Sequence, residues 1–253
     1  MADVEVTIVR SVVDAAYAHP RLAAVYDSFE RDRRDLDAYA AIAEELGARR
    51  VLDIGCGTGT FAVLLASRGF EVVAVDPAEA SLDVARKKRG ADLVRWLDGD
   101  ATALPTLQVD LVTMTGNVAQ AIVEPEAWQQ ALGGMRDAMR PGGHLVFETR
   151  DPAYRGWQEW TRTRTHRVLD IADIGPVERW IELLDVSLPL ITFRGTYVFH
   201  RDGETLTSDS TLRFRERDEV ETDLAAAGYV LQAVRDASDR PGRECVFIAQ
   251  RPQ

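Results

Sequence analysis

An apolar run at residues 51–54 leads directly into a glycine-rich turn in the stretch VLDIGCGTGTFAVLLASRG. The glycines of this turn are Gly55, Gly57 and Gly59. Apolar residues then recur at helical spacing from Phe61 until Gly69 ends the pattern. Alternating glycines between a buried strand and a helix let the backbone approach a ligand closely at the helix N-terminus. The stretch therefore predicts a parallel α/β sheet that holds a ligand at this turn.

Similar apolar runs of strand length continue along the chain and are separated by helical patterns. The predicted parallel strands are 51–54, 71–75, 93–97, 109–114 and 144–149. Two further strands, at 229–235 and 244–251, are joined by so short a link that they must pair antiparallel. We therefore expect a doubly wound α/β core formed by residues 48–150 and 216–253.

Two segments of different character accompany this core. Residues 1–47 show helical spacing and are expected to form an N-terminal helical cap. Residues 151–215 contain period-two runs and an Asp202-Gly203 hairpin signal, which predict an antiparallel β insertion. Its aromatic residues are expected on one inner face: Trp157, Trp160, Trp180, Phe193, Tyr197 and Phe199. An insertion over the strand ends would form a lid that excludes water, and its exposed part offers a face for a homodimer.

Charge and cysteine content restrict the partners and the compartment. The chain has 30 Lys and Arg residues against 41 Asp and Glu residues, and this net charge of -11 repels a nucleic-acid backbone. Its two cysteines, Cys56 and Cys245, form neither a disulfide framework nor a metal-ligand cluster, so we predict no metal. No leader pattern begins the sequence, and no run approaches the roughly 18 apolar residues of a membrane span. We predict a soluble, cytoplasmic protein.

Two cofactor classes use a glycine turn of this kind. Residues 57–62 (GTGTFA) fit the dinucleotide fingerprint G-x-G-x-x-G/A, whereas residues 53–59 (DIGCGTG) fit the S-adenosylmethionine loop D-x-G-x-G-x-G. Asp76, after the second strand, would bind the ribose hydroxyls of either cofactor. Asp53 favours the second class, because a buried carboxylate suits a nearby amino group and sulfonium and would repel a pyrophosphate. Asp100, after the third strand, offers an acceptor to the exocyclic amine of adenine.

Five motifs together resemble those of class I S-adenosylmethionine-dependent methyltransferases. They are VLDIGCGTG (51–59), VVAVDPAEASLDVAR (72–86), LDGDATALP (97–105), VDLVTMTGN (109–117) and RPGGHLVFE (140–148). The resemblance implies a Rossmann-like, seven-stranded sheet with an antiparallel last strand, and S-adenosylmethionine as the cofactor. The predicted cofactor-binding residues are Tyr26, Asp53, Gly55, Gly57, Gly59, Asp76, Pro77, Asp100, Ala101 and Thr115.

The stretch AAVYDSFERDRRD (23–35), together with the β insertion, resembles the small-molecule branch of this family, which includes sugar and glycine-type N-methyltransferases. That resemblance places Tyr26 at the methionyl end of the cofactor. It also implies that one of Arg31, Arg33 or Arg34 meets the cofactor carboxylate.

We predict methyl transfer to an oxygen or nitrogen of a small molecule, achieved mainly by positioning the acceptor and excluding water. The substrate candidates are Asn117, Arg150, Trp157 and Tyr197, and the catalytic candidates are Asn117, His166 and His200. Each also has a purely structural interpretation, as a turn asparagine, a surface ion pair or one side of a half-buried sheet. Two other functions remain open: an NAD(P)-dependent oxidoreductase that uses the turn from Gly57 to Ala62, and a non-catalytic module that binds S-adenosylmethionine.

Overall fold

The computed structural model describes residues 13–30 and 32–253, which fold into two β-sheets with helices packed around them. The strands are β1 (Arg50–Ile54), β2 (Glu71–Asp76), β3 (Val94–Asp98), β4 (Val109–Met114), β5 (Met139–Arg150), β6 (Arg167–Ile171), β7 (Gly175–Ser187), β8 (Leu190–Phe199), β9 (Glu204–Arg213), β10 (Val230–Asp236) and β11 (Glu244–Gln250). The helices are α1 (Ala15–Ala18), α2 (Pro20–Phe29), α3 (Asp35–Glu45), α4 (Thr60–Ser67), α5 (Glu79–Ala85), α6 (Val118–Ala121), α7 (Pro125–Ala138), α8 (Arg162–Thr165) and α9 (Arg217–Ala226). None of the helices in these residues has the length and apolar character needed to cross a bilayer.

The larger sheet has seven strands in the order β10-β11-β5-β4-β1-β2-β3. Strand β1 pairs in parallel with β2 and β4; β2 in turn pairs in parallel with β3, and β4 with β5. Strand β11 runs antiparallel to both β5 and β10. This topology confirms the predicted doubly wound, seven-stranded sheet with an antiparallel last strand.

Both faces of this sheet are covered by helices. In β1, Val51 belongs to a buried cluster with Leu65 of α4. The next residue, Leu52, points to the other face and belongs to a cluster with Trp128 of α7 and Leu224 of α9. Burial of each such side chain stabilises the fold by about 2 kcal/mol. Because strands in this position are buried on both sides, they appear in the sequence as continuous apolar runs.

Strand β5 begins at Met139, five residues earlier than the predicted start at 144. The Pro-Gly-Gly segment before His144 does not form a separate turn, because it pairs with the residues that follow β11. The Gly142 amide donates to the Arg251 carbonyl at 2.9 Å, and the Arg251 amide donates to the Gly143 carbonyl at 2.8 Å. The irregularity therefore lies within the strand rather than before it.

Strands β6 to β9 form a separate antiparallel sheet in sequence order, inside the segment expected as a β insertion. One face of this sheet packs on α2, where Val25 and Phe29 contact a cluster that contains Val177, Tyr197 and Phe199. Helix α3 instead packs on the larger sheet together with α4. The N-terminal helices thus connect the two sheets. Residues 1–12 of the expected helical cap lie outside the described part of the chain.

The prediction of a single aromatic inner face is wrong for Trp180. Successive residues of a strand point to opposite faces, and Trp180 pairs with Thr196, whereas the inward-facing Tyr197 pairs with Arg179. Trp180 therefore lies on the outer face of this sheet, where the Arg162 guanidinium stacks 4.0 Å from the centre of its ring.

Candidate cofactor and acceptor site

The strand order of the larger sheet reverses between β4 and β1, so the loops that follow these strands lie side by side. Open α/β sheets bind ligands at such a switch point, at the carboxyl ends of the strands. The loop after β1 is the glycine turn, and the loop after β4 contains Thr115, Gly116 and Asn117. The two loops touch, because a Cβ atom added to Gly55 would lie 2.6 Å from the Val118 side chain.

All three glycines of the turn have left-handed backbone, with φ values of 65° at Gly55, 54° at Gly57 and 78° at Gly59. They differ in what surrounds them. Gly59 packs tightly, because an added Cβ would clash with Trp96 and would lie 2.8 Å from Ala85. An added Cβ on Gly57 would meet no protein atom within 4 Å. Gly57 is therefore the position of the turn at which a missing side chain leaves room for a ligand.

Asp76 ends β2 and is held rigidly beside the glycine turn. Its Oδ2 accepts a hydrogen bond from the Gly57 amide at 2.7 Å, and its Oδ1 accepts one from the Ala78 amide at 2.8 Å, across Pro77. Burial raises the pKa of this carboxyl group, and the nearby Asp98 raises it further. Each carboxylate oxygen can accept a second hydrogen bond, so Asp76 suits a pair of hydroxyl donors such as those of a ribose.

Asp100 follows β3 on the same edge of the sheet. Its Oδ1 accepts hydrogen bonds from the Thr102 amide at 2.8 Å and from the Thr102 hydroxyl at 2.5 Å, so the turn is fixed locally. The next residue, Ala101, is buried in the main core. The carboxyl ends of β2 and β3 lie side by side, with Asp76 paired with Asp98, so Asp100 follows two residues beyond this edge.

Asp53 lies near the end of β1 with only 1% of its surface exposed. Its Oδ1 accepts a hydrogen bond from the Thr113 hydroxyl at 3.0 Å, whereas its Oδ2 has no partner among the described residues. Burial raises the pKa of this group to about 7, and the Asp76 carboxylate contributes. The unpartnered Oδ2 of this buried carboxylate fits the cationic methionyl end of S-adenosylmethionine. The open space at Gly57 and the rigid Asp76 fit the same cofactor.

A polar cluster that the sequence analysis missed occupies the N-terminus of α4. The Thr58 hydroxyl donates to Asp27 Oδ1 at 2.5 Å, and Lys88 Nζ lies 2.6 Å from Asp27 Oδ2. Lys88 also donates to the Thr60 hydroxyl at 2.6 Å. A carboxylate from α2 therefore already occupies the helix end where a dinucleotide would place its pyrophosphate. In the sequence, the only indication of this cluster was that Asp27 follows Tyr26, which was predicted to bind the cofactor.

A cavity of about 410 Å³ lies between the N-terminal helices, the end of β4 and the inner face of the second sheet. Its walls include Tyr17, Tyr26, Arg33, Gly116, Asn117, Arg150, Trp160, Arg179, Phe193 and Tyr197. The structure thus brings together five of the predicted site residues, namely Tyr26, Arg33, Asn117, Arg150 and Tyr197. Arg31 lies outside the described residues, and Arg34 forms an exposed pair with Asp32.

Three other predicted residues do not line this cavity. His166 and His200 lie on the outer face of the second sheet, where their Nε2 atoms are 2.9 Å and 3.4 Å from the two oxygens of Glu178. Trp157 is buried against Phe214, with their ring centres 4.8 Å apart. The register of the second sheet places these side chains away from the cavity.

A buried polar network supports the cavity wall at Asn117. This residue has left-handed backbone, with φ of 63°. Its amide donates to Glu148 Oε1 at 2.6 Å, and its Nδ2 donates to Glu244 Oε1 at 3.2 Å. Glu148, which belongs to the predicted strand 144–149, is fully buried within β5, and burial raises its pKa to about 7. Within the described residues the Asn117 Oδ1 has no hydrogen-bond partner, so the fixed amide retains one unused acceptor.

The described residues hold no group of three or more His, Cys, Asp or Glu side chains arranged for a metal ion.

Comparison with known proteins relates the chain to methyltransferases. Residues 51–143 match the family model described as a methyltransferase domain. The chain is 38% identical over 119 residues to a cypemycin N-terminal methyltransferase of Streptomyces sp, a match that covers 47% of this chain and 49% of that protein. The chain thus spans about half the length of this curated relative.

Two solved structures share the fold over almost the whole chain. The CcbJ methyltransferase from Streptomyces caelestis superposes with a TM-score of 0.77 at 20% identity, covering 95% of this chain and 100% of that one. An amino pentose methyltransferase from Micromonospora echinaspora, solved with S-adenosylmethionine bound, has a TM-score of 0.68 at 22% identity and covers 90% and 96%. Both similarities support the fold that the motifs predicted.

Proposed function

We propose that this chain, which has the domain and the fold of class I S-adenosylmethionine-dependent methyltransferases, methylates an oxygen or nitrogen of a small molecule. The observation that carries the proposal is the position of the cavity. It reaches Gly116 and Asn117 at the carboxyl end of β4, directly beside the glycine turn. A molecule in this cavity would lie next to the methionyl end of a cofactor bound at that turn.

S-adenosylmethionine would supply a methyl group on a sulfonium that leaves as a neutral thioether. The chain itself has to hold the acceptor and exclude water, which can account for much of the rate. Tyr26, Phe193 and Tyr197 provide apolar walls for this purpose. Asn117 contributes a fixed Oδ1 acceptor that can orient an N–H or O–H group of the substrate.

The related proteins support a small acceptor with a nitrogen nucleophile as one option. One is named for methylation at the N-terminus of cypemycin, and another for methylation of an amino pentose.

Two observations favour this proposal over an NAD(P)-dependent oxidoreductase. If residues 57–62 acted as a dinucleotide fingerprint, a pyrophosphate would have to approach Gly59, but Trp96 and Ala85 cover this residue. The ion pair between Asp27 and Lys88 also already occupies the N-terminus of α4, where a pyrophosphate would have to bind. A non-catalytic binding module would have no need of a large cavity beside the cofactor, and the open cavity therefore favours an enzyme.

A methyl-transfer screen tests the proposal directly. Wild-type protein is incubated with methyl-labelled S-adenosylmethionine and a panel of small amines, alcohols and metabolite extracts, and labelled products are identified by mass. We expect at least one labelled small molecule, and none with Asp76→Ala, which loses a contact of the glycine turn. Tight binding of S-adenosylhomocysteine with no labelled product from any extract would contradict the catalytic proposal.

A further inference from the structure

We infer that the acceptor carries an oxyanion, a carboxylate or a phosphate, and that Arg150 binds this group inside the cavity. The inference rests on the proposed function, because it identifies a property of the substrate of the same site.

Most of the charged residues that line the cavity are neutralised within the protein. Arg33 makes two hydrogen bonds to the Asp35 carboxylate, at 3.2 Å and 3.3 Å. Arg240 binds Asp239 at 2.8 Å and Glu244 at 2.9 Å. These guanidinium groups have their counter-ions already, and they have little to gain from an anionic ligand.

Arg150 differs from these two arginines. Its closest carboxylate among the described residues is that of Glu244, whose Oε1 lies 3.9 Å from Arg150 Nε, too far for a hydrogen bond. That same oxygen already accepts from Arg240 and from the Asn117 side chain. The side chain of Arg150 is 29% exposed, toward the cavity that it lines. Burial lowers the pKa of its guanidinium, and the Glu244 carboxylate offsets part of this effect.

The orientation of Arg150 is nevertheless fixed. Its NH1 donates to Gln120 Oε1 at 3.0 Å, and Gln120 is itself fully buried and donates to the Arg213 carbonyl at 3.4 Å. The guanidinium also lies 5.6 Å from the ring centre of Trp160. A neutral amide that holds an arginine in place leaves its charge available, whereas a carboxylate would cancel it. This arrangement is therefore suited to a ligand that brings its own negative charge.

A second donor in the same cavity points to the same chemistry. Arg179 pairs with Glu30 through NH1 at 2.8 Å, but its buried Nε–H has no partner in the described part of the chain. Together, Arg150 and Arg179 offer N–H donors to this cavity. Its walls also carry aromatic rings and four carboxylates that are each paired with an arginine, namely Glu30, Asp32, Asp35 and Asp239. An oxyanion attached to a compact apolar body would satisfy both the charge and the shape.

Three probes of matched shape test the inference: benzoate, phenyl phosphate and the neutral benzamide. Each is titrated calorimetrically into the full chain saturated with S-adenosylhomocysteine. We expect one of the anions to bind at least about tenfold more tightly than benzamide, and Arg150→Gln to abolish that preference. The tighter of the two anions then identifies carboxylate or phosphate as the group.

Arg194→Gln serves as a control, because Arg194 forms an exposed pair with Asp209 and does not line the cavity. It should change anion affinity by less than about threefold, and Arg150→Lys, which keeps the charge, should retain part of the preference. Equal binding of all three probes, an equal loss in both glutamine variants, or no binding up to about 10 mM would overturn the inference. Unfolding midpoints of each variant verify that it is folded.

The two proposals can fail separately. If the labelled acceptors found in the methyl-transfer screen lack an anionic group and Arg150→Gln methylates them normally, the enzyme assignment stands and the oxyanion inference fails. If the anion preference is present but no acceptor is methylated, the proposed function fails while Arg150 remains an anion-binding residue.

Discussion

Replacing Asp53 with asparagine should stabilise the cofactor-free protein and weaken its affinity for S-adenosylmethionine. The reason is that Asp53 is almost fully buried and has a raised pKa, so its charge is unfavourable until a cationic ligand arrives. Asparagine keeps the acceptor for the Thr113 hydroxyl and carries no charge at any pH.

The size of the effect follows from the shift in the pKa of Asp53, from the ordinary 3.8 to about 7. At about 1.4 kcal/mol for each unit, the buried charge lowers the free energy of unfolding by about 4 kcal/mol above neutral pH. The sign is that of an acid whose pKa is raised by folding. The unfolded chain releases its proton first as the pH rises. The wild-type protein therefore has its full stability below about pH 4 and loses this contribution to the free energy of unfolding between about pH 4 and 7.

The assay is urea unfolding of the cofactor-free protein, followed by tryptophan fluorescence at several pH values from about 4.5 to 8. The stability difference between Asp53→Asn and wild type should grow with pH across this range. Asp110→Asn is the control, because the pKa of Asp110 is lowered by its hydrogen bonds with Arg140 and with backbone amides. That variant should be less stable than wild type by a nearly constant amount across this range, because the contribution of Asp110 is lost only as the pH falls below about 4.

Parallel stability curves for Asp53→Asn and wild type would refute the reasoning, because they would mean that ionisation of Asp53 does not destabilise the folded protein. A second arm measures S-adenosylmethionine affinity at pH 8. We expect Asp53→Asn to weaken binding by about tenfold, since the attraction for the cationic ligand is lost.

Three further predictions concern individual residues of the site. Gly57→Ala should lower the free energy of unfolding by only about 1 kcal/mol, because of its left-handed backbone, yet it should weaken S-adenosylhomocysteine binding. Gly59→Ala should destabilise the protein more, because the added methyl group meets Trp96 and Ala85. Calorimetry should show that Asp100→Ala weakens S-adenosylhomocysteine binding by about tenfold or more; an unchanged affinity would remove Asp100 from the site. His166→Gln should leave the rate and the pH profile of methyl transfer unchanged, because this side chain pairs with Glu178 outside the cavity.

The larger sheet and the glycine turn could be predicted because their signals are local. Residues 51–54 are apolar throughout since both faces of β1 are buried, and the turn follows without interruption. The placement of Asp76 beside the turn also followed, because parallel neighbouring strands end at the same edge of a sheet.

Features that depend on distant contacts could not be predicted in the same way. The bond between Thr58 and Asp27 joins residues 31 positions apart, and the Glu244 contact to Asn117 spans 127. Period-two runs mark a strand but not which side faces inward, so Trp180 was assigned to the wrong face. The contribution of Trp160 to the cavity likewise depends on how the second sheet packs.

The most direct test of the account is calorimetric titration of the wild-type chain with S-adenosylhomocysteine and, separately, with NAD. We expect S-adenosylhomocysteine to bind at one site per chain and to lose affinity in Asp76→Ala, while NAD produces no binding heat. Binding of NAD without binding of S-adenosylhomocysteine would contradict the central claim that the glycine turn holds a methyl donor.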